Sequence, residues 1–163
     1  MIRTATADDI SSLIALAEAT GLFQPHEVEA FGGMMQEQLA EENESEDRWI
    51  VDDDDGIKGA AYYAPEVFAE GVWNLYFIGV HPTEQKKGRG STLLKHVEKT
   101  LQKQGDRILL IETSSTTSFE KTRSFYRKNK YEEEARIRDF YQAGDDKVIF
   151  RKAFDIQSKN PTS

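Results

Sequence analysis

The chain contains no cysteine. Disulfides, thiol nucleophiles and thiolate-zinc sites are thereby excluded, and a cytoplasmic setting is expected rather than a secreted one. No apolar run approaches the roughly 20 residues that a membrane helix needs, and Met1-Ile2-Arg3-Thr4-Ala5-Thr6 has no long apolar region behind its basic residue. Neither a secretory leader nor a membrane partner is expected. Positive charge is scarce: 21 lysines and arginines face 29 aspartates and glutamates, a net charge of −8. That balance disfavours a phosphate grip on nucleic acid and tolerates a cationic or amine-bearing ligand. The three histidines, His26, His81 and His96, match no zinc spacing, so no metal is expected. A Gly-x-Ser-x-Gly elbow is also missing, which leaves acyl-serine chemistry without support.

What remains is a chain of 163 residues, 38% hydrophobic and 31% charged. That length suits one domain, because chains near this size bury roughly 70% of the surface they expose when unfolded. Residues 1–154 are expected to form it, with a polar tail over 155–163. Ile2–Ala5 can start a strand, and Thr6-Ala7-Asp8-Asp9 offers a hydroxyl with an acid three residues on, a variant of the capping box. Ile10, Leu13, Ile14, Leu16 and Ala17 then recur at helical spacing up to Gly21. A second helix is expected from Pro25 to about Ala40, followed by an acidic solvated loop, Glu41–Asp47.

Arg48–Val51 and Ile57–Tyr63 read as strands joined by Asp52-Asp53-Asp54-Asp55-Gly56, which ends in the Asp-Gly pair favoured at hairpin turns. The four aspartates lack the alternating ligands and closing glutamate of a calcium loop, so a solvated hairpin turn is expected. Val72–Val80 is the next strand, Ser91–Gln104 an amphipathic helix, and Arg107–Glu112 an apolar run suited to a doubly covered strand. This strand–loop–helix–strand unit predicts a right-handed parallel crossover. A helix over about Phe119–Asn129 and two strands, Ala135–Tyr141 and Lys147–Lys152, complete the chain. The expected architecture is one mixed α/β sheet, antiparallel at both ends with a single parallel crossover in the middle.

The segment Thr83-Glu84-Gln85-Lys86-Lys87-Gly88-Arg89-Gly90 carries the most chemistry. Two glycines flanking Arg89 let the backbone approach a ligand, and several N–H groups at a helix start suit a pyrophosphate. A plain glycine turn bearing surface lysines gives the same pattern. No P-loop spacing is present. A dinucleotide fingerprint needs a third glycine where Leu93 stands, although Glu112 lies at a strand end in rough imitation of the ribose-binding acid. A nucleotide-binding α/β reading is therefore second.

Val80-His81-Pro82 followed by Gln85-Lys86-Lys87-Gly88-Arg89-Gly90 resembles the Gln/Arg-x-x-Gly-x-Gly/Ala acetyl-CoA signature of the GNAT N-acetyltransferase superfamily. Thr122-Arg123-Ser124-Phe125-Tyr126-Arg127-Lys128-Asn129-Lys130-Tyr131 resembles the helix carrying that family's tyrosine, and the likeness extends over almost the whole chain. It implies a largely antiparallel seven-stranded sheet with helices on both faces and a thioester lying where strands Val72–Val80 and Arg107–Glu112 splay apart. It also implies that backbone groups of Ile78 and Val80 pair with the pantetheine arm. Gly79 would mark a bulge or a close backbone approach, and an N–H freed there would polarise the thioester carbonyl.

The resemblance further assigns the phosphates to Gln85, Lys86, Lys87, Gly88, Arg89, Gly90 and Ser91, with Thr122 and Lys128 as additional coenzyme contacts. Tyr126 becomes the acid that protonates the leaving thiolate. Many members carry a glutamate on the strand before the phosphate loop; here Asn74 and Tyr76 stand at the aligned positions. Glu112 is the best remaining carboxylate for the base, with a salt-bridged strand-end acid as its alternative role; Tyr76 with a water chain and deprotonation by solvent are the other routes. The activity implied is acetyl transfer from acetyl-CoA to a primary amine by direct attack, with a small-molecule acceptor expected and a homodimer possible in such proteins. The alternatives are a protein N-terminal or lysine acetyltransferase and a non-catalytic acyl-CoA-binding sensor or interaction module.

Overall fold

The structure, a computed structural model, describes residues 1–40 and 48–155. The expected acidic loop and all but the first residue of the expected tail lie outside the described residues. The strands are β1 (Ile2–Thr4), β2 (Arg48–Asp53), β3 (Ile57–Pro65), β4 (Val72–Val80), β5 (Ile108–Ser114), β6 (Glu132–Gln142) and β7 (Asp145–Ala153). The helices are α1 (Ile10–Thr20), α2 (Pro25–Gln38), α3 (Arg89–Gln104) and α4 (Glu120–Lys128). They build a mixed α/β fold around a seven-stranded sheet of order β1-β2-β3-β4-β5-β7-β6. Pairs β1–β2, β2–β3, β5–β7 and β6–β7 are antiparallel, and β4–β5 is parallel, as the crossover predicts.

Two compact units share this sheet. The first comprises 1–64 and 76–96, the second 65–75 and 97–163, so β4 and α3 each contribute to both. In the first unit, alternation along β2 decides what each face meets. Trp49 and Val51 join Leu13 and Leu16 of α1, Met35 of α2, Tyr62 and Phe77 in one core. Each fully buried aliphatic side chain of this kind contributes about 1.5–3 kcal/mol. Trp49 stacks on Tyr62 at 4.8 Å, and Gln38 links the two rings, accepting from Trp49 Nε1 at 2.8 Å and donating to Tyr62 Oη at 2.6 Å. Asp52 faces the other way, toward the start of α3, where Gly59 lets Leu93 come so close that a Cβ would stand 2.9 Å from Leu93 Cδ1.

The second unit buries Trp73, Leu75, Leu101, Leu109, Ile111, Tyr126, Tyr131, Val148 and Phe150. β6 is different. All eleven of its residues are exposed and its pairing with β7 is broken by two irregularities, the charged and bulged form by which an edge strand resists pairing with other chains.

Several boundaries differ from the sequence reading. α3 starts at Arg89 instead of Ser91, and β6 starts at Glu132 instead of Ala135. In both places the extra residues are charged or glycine and exposed or half-buried, so hydrophobic periodicity carries no sign of them. The Asp52–Gly56 hairpin forms as expected, with Asp55 and Gly56 both left-handed at φ 54° and 104°. Its acids are not simply solvated, however: Asp52 is buried, and Asp52, Asp53 and Asp54 are all held in ion pairs.

Candidate active site

In the first unit, the loop after β4 reaches α3 through alternating backbone hands. Lys86 has φ 65° and Gly88 φ 81°. A side chain disfavours that conformation, which is why glycine suits position 88 and why Lys86 holds it at some cost. Thr92 N–H makes the first helical bond, to the Gly88 carbonyl at 3.0 Å. The N–H groups of Arg89, Gly90 and Ser91 therefore precede the ladder at the positive end of the helix dipole. Gln85 folds back and donates from Nε2 to the Val80 carbonyl at 3.1 Å, fastening the loop to the end of β4. His81 caps the short turn between them, its Nδ1 accepting from Thr83 N–H at 3.2 Å.

The basic side chains of this loop behave differently from one another. Lys86 is exposed. Lys87 pairs with Glu84 at 3.0 Å. Arg89 is held on three sides, by Asp52 at 2.8 Å, Asp54 at 2.7 Å and Glu84 at 3.3 Å. These hydrogen-bonded cations hold the Asp54 and Glu84 carboxyls below their ordinary range, Asp54 through Arg89 and Glu84 chiefly through Lys87. A pocket of about 570 Å³ opens beside them, lined by Lys87, Arg89, Thr92 and His96 together with Met1, Ile2 and Asp52. Ile78, Gly79 and Val80 lie half-buried at the end of β4. A Cβ on Gly79 would stand 2.7 Å from Phe77 Cζ, so this glycine makes room for a neighbouring ring.

In the second unit, Tyr126 lies on α4 and is only 4% exposed. Its ring packs against Phe125, Tyr131 and Phe150. Burial alone pushes the phenol well above its ordinary value, and the hydroxyl has no hydrogen-bond partner among the described residues. A buried tyrosine of this kind keeps its proton at neutral pH. Arg123 ties α4 to the end of β5, donating to the carbonyls of Ser114 and Thr116 at 2.8 Å each. Thr122 is half-buried and Lys128 exposed.

Glu112 pairs with Ile149 in the β5–β7 register, whereas Ile111 pairs with Phe150. Glu112 and Tyr126 therefore occupy opposite faces of this part of the sheet. The carboxylate of Glu112 is ion-paired to Lys147, whose ammonium also lies 3.8 Å from the centre of the Phe140 ring. Tyr141, itself an exposed residue, stands close by, its phenol pushed up to about 12 by partial desolvation and by the carboxylates of Glu112 and Asp145.

Two arrangements escaped the sequence reading. Tyr131 donates to Glu98 at 2.7 Å and Lys152 to the same carboxylate at 3.1 Å, a triad of two buried residues and a half-buried lysine drawn from α3, the α4–β6 turn and β7. Asn74 of β4, 3% exposed, donates from Nδ2 to the carboxylate of Glu66. Both depend on partners far apart in the chain or across a connection, and no local motif announces either. Among the described residues, no group of three or more His, Cys, Asp or Glu side chains could hold a metal ion.

A family model for the acetyltransferase (GNAT) domain matches residues 44–133. The chain belongs to the GNAT acetyltransferase family. Among solved structures it is similar to a GNAT-family protein from Desulfovibrio desulfuricans, with 32% identity, 94% of this chain and 98% of that one covered, and a TM-score of 0.88. The fold is also that of the ribosomal-protein-S18-alanine N-acetyltransferase from Escherichia coli, at 17% identity, 98% and 97% coverage and a TM-score of 0.76. PaiA N-acetyltransferase from Thermoplasma acidophilum, solved in complex with coenzyme A, gives 20% identity, 94% and 98% coverage and a TM-score of 0.73. No curated protein matches the chain. For this GNAT chain, then, the comparisons give the fold and the family; they do not give the acceptor.

Proposed function

We propose that this GNAT protein is an acetyl-CoA-dependent N-acetyltransferase acting on a small-molecule primary amine in a cytoplasmic setting. The observation that carries the reading is the Gln85–Gly90 loop, where left-handed Lys86 and Gly88 lead into the open N-terminus of α3. In this reading the diphosphate of the donor rests on the N–H groups of Gly88–Ser91, with Lys86 and Lys87 adding charge and Gln85 fixing the loop. Ile78, Gly79 and Val80 guide the pantetheine arm, and Thr122 and Lys128 are further coenzyme contacts.

Chemically, the nitrogen lone pair of the amine attacks the thioester carbonyl carbon, and the C–S bond then breaks. Tyr126 gives its proton to the departing thiolate, and Glu112 takes the proton that the nitrogen must lose. Glu112 must exchange its Lys147 partner for the amine.

That ion pair also favours a second reading, a non-catalytic acyl-CoA-binding module. Thermal shift with acetyl-CoA, desulfo-CoA, NADH and ATP separates the coenzyme question from the catalytic one. A ligand at about 100 times its dissociation constant stabilises the fold by roughly 2.7 kcal/mol. A rise with both coenzyme A species, followed by acetylation within an amine panel, is the expected result. A rise without turnover across polyamines, amino acids, aminoglycosides and peptide N-termini gives the binding module. A rise with NADH alone overturns both readings.

A further inference from the structure

Glu66 and Asn74 form a pair whose chemistry is incomplete. Asn74 is 3% exposed, and its Nδ2 donates to the half-buried Glu66 carboxylate. A carboxylate only accepts, which fixes the amide orientation and turns Oδ1 away from Glu66. That Oδ1 is fully buried and has no hydrogen-bond partner among the described residues. Glu66 likewise has no basic partner among them, whereas Glu98 has Lys152 and Glu112 has Lys147. The pair thus presents a carboxylate met, among the described residues, only by the Asn74 amide, and a buried carbonyl oxygen met by no N–H, although buried polar atoms in folded proteins are nearly always satisfied.

The pair is also well placed. Asn74 stands opposite Leu110 in the parallel β4–β5 register, two residues before Glu112. In a strand those two positions share a face, so Asn74 lies on the Glu112 side of the sheet. Where β4 has an amide instead of an acid, the connection that precedes it supplies the carboxylate. Val67 and Phe68 directly follow Glu66, and both are almost fully exposed.

We infer that Glu66 and Asn74 form the seat of the acceptor's ammonium group. Glu66 supplies the counter-charge and accepts one N–H, and Asn74 Oδ1 accepts a second. The acceptor class is then a primary amine that arrives protonated, with an apolar body that Val67 and Phe68 can contact. This inference rests on the N-acetyltransferase reading and gives that reading its substrate class. Seating is separate from chemistry: the amine binds as its cation and gives one proton to Glu112 before its lone pair can attack, and the second proton, lost from nitrogen as the C–S bond breaks, passes to solvent, from which Tyr126 regains the proton it gives to the thiolate.

The test uses phenethylamine as probe and 2-phenylethanol as its uncharged counterpart, on the full chain saturated with acetyl-CoA for kinetics and with coenzyme A for binding. Glu66→Gln is expected to raise the KM for phenethylamine by roughly 30-fold or more while kcat stays within about threefold, the mark of lost ground-state binding. Asn74→Leu, close in volume, is expected to raise it by roughly tenfold. The KM for acetyl-CoA should not move in either variant. In the coenzyme complex, phenethylamine should shift the Asn74 side-chain amide resonance and 2-phenylethanol should not. Unchanged KM values in both variants, or equal binding of the two probes, overturns the seat while leaving the N-acetyltransferase reading in place. Failure of the wild type to bind coenzyme A at all overturns both. Thermal melting of the variants, compared with wild type, separates a lost seat from a lost fold.

Discussion

Arg89 Nη1 donates to the buried carboxylate of Asp52 at 2.8 Å. The first residue of α3 is thereby tied to the end of β2, and Asp54 and Glu84 complete its surroundings. A residue expected only to attract phosphate is also a structural clamp that sets where the helix begins. Removing one partner of such a contact leaves the other charge without compensation.

Arg89→Ala should accordingly lower the melting temperature and weaken acetyl-CoA binding together. Asp52→Asn in the same chain should recover much of the melting temperature, because the stranded charge is gone, and little of the affinity. Differential scanning fluorimetry and isothermal titration on the single and double variants check both halves. Equal recovery of the two quantities would mean that Arg89 acts on the coenzyme only through the fold.

The two tyrosines of the second unit should part company. The Tyr126 hydroxyl is buried without a partner, so Tyr126→Phe removes no hydrogen bond and should leave the melting temperature unchanged or slightly higher. Turnover should nonetheless fall by about 100-fold or more if the phenol is the acid. Tyr131→Phe breaks the bond to Glu98 and should cost about 1–3 kcal/mol of stability with little direct effect on the chemical step. Urea denaturation and steady-state rates, measured side by side, give the contrast.

Gly79→Ala places a methyl group 2.7 Å from the Phe77 ring. Phe77 is itself packed against Trp49, Phe23 and Phe31, which limits its retreat. Overpacking of this kind costs about 1–3 kcal/mol. Pairing the change with Phe77→Leu should return part of the loss, readable in denaturant midpoints; persistence of the full loss would point to a backbone role for Gly79 instead.

Acid should unfold the protein through a small set of carboxyls. Asp9, held by Arg3, Asp54, held by Arg89, Glu84, held chiefly by Lys87, and Asp146, held by the Asp139 N–H, all titrate below their ordinary values of 3.8 for Asp and 4.5 for Glu. A depressed folded-state value means that the stabilisation is present above the unfolded value and is lost as pH falls through the folded one. The melting temperature should therefore be nearly flat from pH 7 to about 5 and fall steeply below about 4. Asp9→Asn should flatten that descent, because Arg3 then has no Asp9 charge to favour; an unchanged pH profile would remove Asp9 from the set.

Much of this molecule was legible from local pattern. The Asp-Gly turn, the apolar strand Arg107–Glu112 and the glycine loop before α3 each carry their conformation in a few adjacent residues, and together they led to the family. Arg89 shows where such reading ends. Its type and spacing point to phosphate, but its three acidic partners come from the hairpin and the loop, which only the folded chain brings together. Asn74 is the sharper case. As a departure from the family pattern it read as a missing carboxylate, because nothing in the spacing from Asn74 back to Glu66 marks them as neighbours. Lys147, likewise, lies 35 positions from Glu112 and reaches it only through the β5–β7 register.

Phe68 stands clear of the surface, two residues beyond Glu66, in a chain without cysteine. Phe68→Cys would therefore carry the molecule's sole thiol. A fluorophore attached there would sit beside the proposed ammonium seat, and its emission would follow the arrival of an amine in real time. The same lack of native thiols means that unlabelled protein adds no background when free coenzyme A is titrated with a thiol reagent, so turnover can be followed even at high enzyme concentration.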